Sequence, residues 1–253
     1  MKKHLAIDLS RHGASFVSLN DSGIEQEQSI VFHGFNSNSV NESLNQVFSE
    51  HTFLSADFDE VTLSWNTNKS TLVPNAIFAE SNAVSIFQLC FGDGIDTNEI
   101  DYNRIWEAGV VNVYEIPLWI KSFFVIKFPR IIVQHLGTHA MRSALDSNAF
   151  YLKATLIVNE GYFYLSMIKH NEVQFYSFFD SQSAEDVIYH LVFALQQKEM
   201  MNEKGTIELI PSSGQSEAQL TEIKSGLEKI NDLSGFKVNL VTDFIPKAQQ
   251  LCV

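Results

Sequence analysis

A chain of 253 residues, 45% hydrophobic and 19% charged with 20 phenylalanines, can build one large core or two smaller ones, which excludes disordered, collagen-like and highly charged coiled-coil chains. Lys and Arg number 17 against 30 Asp and Glu, a formal charge of -13, so polyphosphate and anionic lipid are repelled overall and no nucleic-acid partner is expected. Cys90 and Cys252 make neither a disulfide framework nor a CxxC metal pair, which fits a reducing cytoplasm.

The first nine residues place two lysines before a short apolar run that already contains Asp8, too brief for a signal peptide or a spanning helix. Strands are expected where Leu5, Ile7 and Leu9 alternate, over Phe16 to Leu19, and over Ile24 to Phe32 beyond the Asn20-Asp21-Ser22-Gly23 turn. Val40, Leu44, Val47 and Phe48 then recur at helical spacing, with Asn38 or Ser39 able to cap the helix. Val61, Leu63 and Trp65 alternate as a strand, and Val84, Phe87 and Phe91 stripe a helix over 83–91. The first half therefore reads βββαβα.

The most apolar run, 116–133, is broken by Lys121, Lys127, Pro129 and Arg130, so no membrane insertion is expected. Pro117 suits a helix start, Pro129 ends it, and Arg130 to Gln134 is β-branched, which predicts helix, strand, helix over 116–147.

After residue 150 the same grammar returns. Extended runs fall at Lys153 to Val158, Tyr162 to Ile168 and Val173 to Phe179. Ser183 to Asp186 resembles a capping box ahead of a stripe of Val187, Ile188, Leu191, Ala194 and Leu195. Thr206 to Ile210 reads as a strand, Ser216 with Gln219 opens a helix, and Phe236 to Val241 is a last strand. Helix and strand align between halves at an offset of roughly 145 to 146 residues, as a repeated unit would.

Two tandem βββαβα units resemble the actin-like ATPase superfamily, an α/β fold of two ribonuclease-H-like lobes, expected here at 1–150 and 151–253. Ala6-Ile7-Asp8-Leu9-Ser10 is similar to its first phosphate hairpin and Leu156 to Gly161 to its second. The whole chain resembles an uncharacterised Bacteroidetes family of this fold and, further out, actin-like pilus-assembly and secretion scaffold proteins. The resemblance implies nucleotide contact at Asp8, Ser10, Gly13, Asn159, Gly161 and Gly214, with ATP and magnesium as cofactors of active members.

The departures weigh against that chemistry. Active hairpins pair an acidic residue with glycines, so that backbone amides approach phosphate and the carboxylate holds a metal-bound water. Here Ser10 replaces a glycine, Arg11 and His12 crowd the turn, Asn159 stands at the second acidic position, and Tyr162 to Tyr164 are bulky. Only Gly214 remains of the adenosine-side glycine pair.

Other patterns carry less. His135 and His139 sit four apart, but Leu136 replaces the glutamate of HExxH and no third zinc ligand is spaced to join them, so they read as structural or surface histidines. Gly92 to Asp96 reads as a loop. The aromatic series from Tyr162 to Phe179 lacks the basic partners of a base-stacking sheet. No GxSxG elbow is present.

The favoured reading is a non-catalytic interaction or scaffold protein, without cofactor, that binds a protein partner or a second copy through its second lobe. The rival is an ATP-dependent enzyme of the kinase or chaperone type whose Asp8 serves magnesium. A nuclease would need several converging carboxylates, and Asp8 is the lone candidate.

Overall fold

The computed structural model describes residues 2–147, 150–212 and 217–251. Two compact units divide it: residues 1–139 with 245–253, and residues 140–244. This differs from the expected division near 150, with 245–253 in the second unit.

In the first unit, β1 (His4–Leu9), β2 (Gly13–Asn20) and β3 (Gly23–Val31) form an antiparallel meander. Helix α1 (Ser37–Glu50) leads to β4 (Glu60–Trp65), which pairs parallel to β1. The period of two sorts the side chains. Leu5, Ile7, Leu9, Phe16, Leu63 and Trp65 join Val40, Leu44 and Phe48 of α1 in one core. The alternate residues His4, Asp8, Thr62 and Ser64 are buried too. The cap of α1 is Asn36 rather than Asn38 or Ser39: its extended backbone lets Oδ1 accept from the Ser39 amide at 3.0 Å.

Between β4 and the last strand of this sheet lies a small sheet that the sequence reading missed. Strands β5 (Ser70–Pro74), β6 (Ile100–Ile105) and β7 (Val110–Glu115) pair antiparallel in the order β5-β7-β6. Helix α2 (Ala83–Phe91) packs Ala83 and Phe87 against Val73, Val111 and Val113 of that sheet, not against the main core. Cys90 on α2 is exposed.

As expected, a helix, a strand and a helix follow: α3 (Leu118–Lys127) between Pro117 and Pro129, β8 (Ile132–His135) parallel to β4, and α4 (Leu136–Asp146). The main sheet is ordered β3-β2-β1-β4-β8.

The second unit repeats this plan. Its meander is β9 (Leu152–Asn159), β10 (Tyr162–Lys169) and β11 (Glu172–Asp180), followed by α5 (Ala184–Gln197), β12 (Gly205–Pro211), α6 (Glu217–Glu228) and β13 (Phe236–Leu240). The order is β11-β10-β9-β12-β13, with β12 parallel to both its neighbours. The capping box of α5 is present: Ser183 Oγ accepts from the Asp186 amide at 3.3 Å, and Asp186 Oδ2 accepts from the Ser183 amide at 3.0 Å. The expected opening of α6 at Ser216 and the glycine at Gly214 lie outside the described residues.

Register makes the repetition quantitative. Each meander carries a bulge at the same place. Glu25 is skipped between the pairs Leu19↔Ile24 and Ser18↔Gln26, and Gln174 between Ile168↔Val173 and Met167↔Phe175, 149 residues later. Strand β1 also corresponds to β9 at an offset of 149, whereas Glu60 of β4 and Thr206 of β12, paired with His4 and Lys153, are 146 apart. The three-residue difference arises between the meander and the parallel strand.

The final helix, α7 (Phe244–Gln250), was not foreseen. Pro246 falls in its first turn, where an amide has no intrahelical acceptor to lose. Among the described residues no helix is long and apolar enough to cross a membrane.

Candidate functional site

The first hairpin carries the residues singled out for nucleotide contact. Asp8 lies near the end of β1, between Ser15 of β2 and Ser64 of β4, with 6% of its surface exposed. The turn beyond it is closed by its own serine. Ser10 Oγ accepts from the His12 amide at 3.1 Å and the Gly13 amide at 3.3 Å, while the Ser10 amide donates to the Gly13 carbonyl at 2.9 Å. In this turn the His12 and Gly13 amides point at a hydroxyl of the chain itself.

Gly13 is a glycine for a reason unrelated to ligands. A Cβ there would lie 2.3 Å from the carbonyl oxygen of Ile30, so the bare backbone lets β2 approach β3. The turn is further tied down by the Phe32 amide, which donates to the His12 carbonyl at 2.8 Å. Arg11 sits with its guanidinium 5.4 Å from the Phe35 ring centroid and 3.9 Å from Glu115, whose other oxygen receives Lys69 at 2.9 Å. Arg11 and Lys69 are therefore both engaged by Glu115, and Arg11 also by an aromatic ring.

The second hairpin, aligned by register, does not reproduce Asp8. At the offset of 149 the pair Asp8↔Ser15 becomes Ile157↔Tyr164, both fully buried, and Ser10 corresponds to Asn159. Asn159 is itself buried, and its Nδ2 donates to the Ile157 carbonyl at 3.3 Å. Gly161, at φ +82, occupies the left-handed region that the Asn159-to-Tyr162 turn requires, with open space around the missing Cβ. Burial raises the Tyr164 hydroxyl well above its usual range.

A buried polar network in the first unit escaped sequence reasoning. His135, ending β8, accepts at Nδ1 from the Gly137 amide at 3.0 Å, which leaves Nε2 as the donor to the Thr67 carbonyl at 3.0 Å. Asn112 of β7 donates through Nδ2 to Thr138 Oγ1 at 3.1 Å and accepts from Ser70 Oγ at 2.5 Å. Asn103 Oδ1 accepts from the His135 amide at 2.9 Å and from Thr138 at 3.2 Å. The network joins the small sheet to the end of the main one. The signal was available as Asn112 inside the β-branched run Val110 to Val113, since a polar residue mid-strand needs a partner.

His4 makes a second such cluster. The Thr62 hydroxyl donates to Gln249 Oε1 at 2.5 Å and so accepts from His4 Nε2 at 2.8 Å. Burial lowers both His4 and His135 to about 4, so both rings are neutral. His139 is also fully buried, and among the described residues no group of three His, Cys, Asp or Glu is placed to hold a metal ion.

A family model described as "Protein of unknown function (DUF3822)" matches residues 1–225. No curated protein matches the chain. A crystal structure from Bacteroides thetaiotaomicron, described as a protein with actin-like ATPase fold and unknown function, is 20% identical with a TM-score of 0.75, over 100% of this chain and 96% of that one. The PilM-PilN type IV pilus biogenesis complex gives 9% identity and a TM-score of 0.53, over 98% and 94%. The fold is thus that of the actin-like ATPases, an α/β architecture of two ribonuclease-H-like lobes.

Proposed function

The chain belongs to the DUF3822 family, and we propose that this member is a non-catalytic interaction protein in which both phosphate hairpins of the actin-like fold have become structural turns. One observation carries the reading: Ser10 Oγ takes the two turn amides of the first hairpin, and Ile157 with Tyr164 fills the position that Asp8 and Ser15 hold there. A phosphate cradle needs unengaged amides and room for their approach, and a metal-bound water needs carboxylates. The residues present do not fit a magnesium-nucleoside triphosphate.

The comparison with PilM, solved in complex with PilN, supports an interaction role at the level of fold. The charge of -13 argues for protein rather than nucleic-acid partners, and we place the protein in the cytoplasm on its low cysteine count of two. The second lobe, with the more apolar edge strand, is the side we assign to contact, as a homodimer or with another protein.

The weak ATP-binding alternative rests on Asp8, which keeps its carboxylate at the end of β1. Calorimetry with magnesium-ATP and a non-hydrolysable analogue decides between them. The expected result is no heat of binding and no phosphate release. Micromolar affinity that disappears in Asp8→Ala establishes the ATP-binding reading instead, and phosphate release beside it an ATPase.

A further inference from the structure

The edge strands β3 and β11 hold the same place in the two sheets and carry the same bulge, but their surfaces differ. Strand β3 is mostly exposed and sets Glu25 and Glu27 in its middle, the usual protection of an open edge. Strand β11 is half-buried from Val173 to Phe179, has no proline, and keeps its only charges, Glu172 and Asp180, at its two exposed ends. Its aromatic rings continue onto the neighbouring helix. Phe179 stacks on His190 of α5 at 4.3 Å and 17°, His190 meets Tyr189 at 5.3 Å, and Tyr189 stacks on Phe193 at 6.0 Å and 15°. Tyr189 and Phe193 are 62% and 45% exposed, so this strip ends in water.

We propose that β11 is a strand-addition site whose occupant is an extended segment of another protein, apolar at alternate positions and flanked by Lys or Arg. Main-chain pairing along the edge supplies the affinity common to strand addition, and alternate side chains find the aromatic strip of α5 on one face. The charges choose the occupant. With acids at both ends and no base within the strand, no register of β11 against a second β11 forms an ion pair, and the fully aligned antiparallel one sets Glu172 against Asp180 twice. A partner with basic flanks reverses that repulsion and is drawn by the net charge of the chain.

This inference rests on the interaction reading of the second lobe but not on the fate of nucleotide, so ATP binding in calorimetry leaves it standing. The test selects peptides from a displayed random 12-residue library on the full chain, then measures the synthesised winners by calorimetry and hydrogen exchange. Expected are peptides with basic flanks that slow exchange over 172–180, bind about tenfold more weakly to Glu172→Lys/Asp180→Lys, as reversal of two exposed pairs would give, and also more weakly to Tyr189→Ala. Both substitutions fall at exposed positions and leave the circular-dichroism spectrum unchanged. Three results overturn the proposal: no selectable peptide, binding that leaves 172–180 unprotected or is indifferent to the charge reversal, or a dimer by light scattering whose formation protects β11, which makes the occupant a second copy.

Discussion

The two lobes are built on one plan and filled with different chemistry. Order, sense and bulge position coincide, yet the face that carries His4, Asp8, Thr62 and Ser64 in the first lobe carries Lys153, Thr155 and Ile157 in the second. Strand register is fixed by turns and by the apolar face that packs on the helices, which both lobes keep. The opposite face is released from that constraint. In the first lobe it holds the buried neutral His4; at that position the second lobe has Lys153, paired with Glu208 at 3.1 Å.

Acid should therefore part the lobes, and this is the largest effect expected. His4 and His135 protonate near 6.5 when unfolded and at about 4 when folded. Between those values the unfolded chain holds more protons, so stability is full above pH 6.5 and falls as pH drops toward 4, by about 3 kcal/mol for each histidine. Hydrogen exchange at pH 7 and pH 5 should show lower opening free energies for β1 and β4 and little change in β9 and β10. Equal losses in both lobes would mean that other groups govern the acid response.

The hairpin glycines sharpen the contrast at a smaller scale. Gly13→Ala drives a methyl group onto the Ile30 carbonyl and should cost about 3 kcal/mol in urea unfolding, as overpacking does. Gly161→Ala meets no atom and pays only for its left-handed backbone, about 1 kcal/mol. If the two losses come out equal, the close approach of β2 and β3 is softer than its geometry implies.

Ser10→Ala leaves the His12 and Gly13 amides without their hydroxyl and should lower stability by about 1 kcal/mol. A neutral result in thermal denaturation would show that water replaces the hydroxyl freely, and would reopen the turn to anions. Smallest of all, Glu27→Lys in the exposed middle of β3 should change stability by less than about 0.5 kcal/mol and leave the protein monodisperse.

Much of the fold was legible because meanders, amphipathic helices and the Ser183 capping box are local patterns. Pro117 and Pro129 bracketed α3 for the same reason. The small sheet was not legible. The segment Ile100 to Ile105 alternates only at Ile100 and Tyr102 before Arg104 breaks the pattern, and β5 and β7 become recognisable only through partners more than 35 residues apart, such as Ser70 with Tyr114. At the candidate site, sequence located the hairpins and noted the bulk of Tyr164. It could not show that Ser10 turns inward to cap its own amides, or that register sets Ile157 beside β10 where the first lobe has Asp8. Hydrogen bonds of buried side chains depend on tertiary contact, and His135 with Asn112 illustrates it across 23 positions.

The first unit is discontinuous in sequence: residues 245–253 return to it after the whole of the second has intervened. Gln249 completes the buried cluster of Thr62 and His4 across 187 positions. On the ribosome this imposes an order. Residues 140–244 can emerge and collapse as a unit while the first 139, already synthesised, still lack the helix that satisfies their sheet. The lobe made first is finished last, and a chain stalled before α7 presents a folded second lobe beside an incomplete first one, the form most exposed to chaperones and proteases.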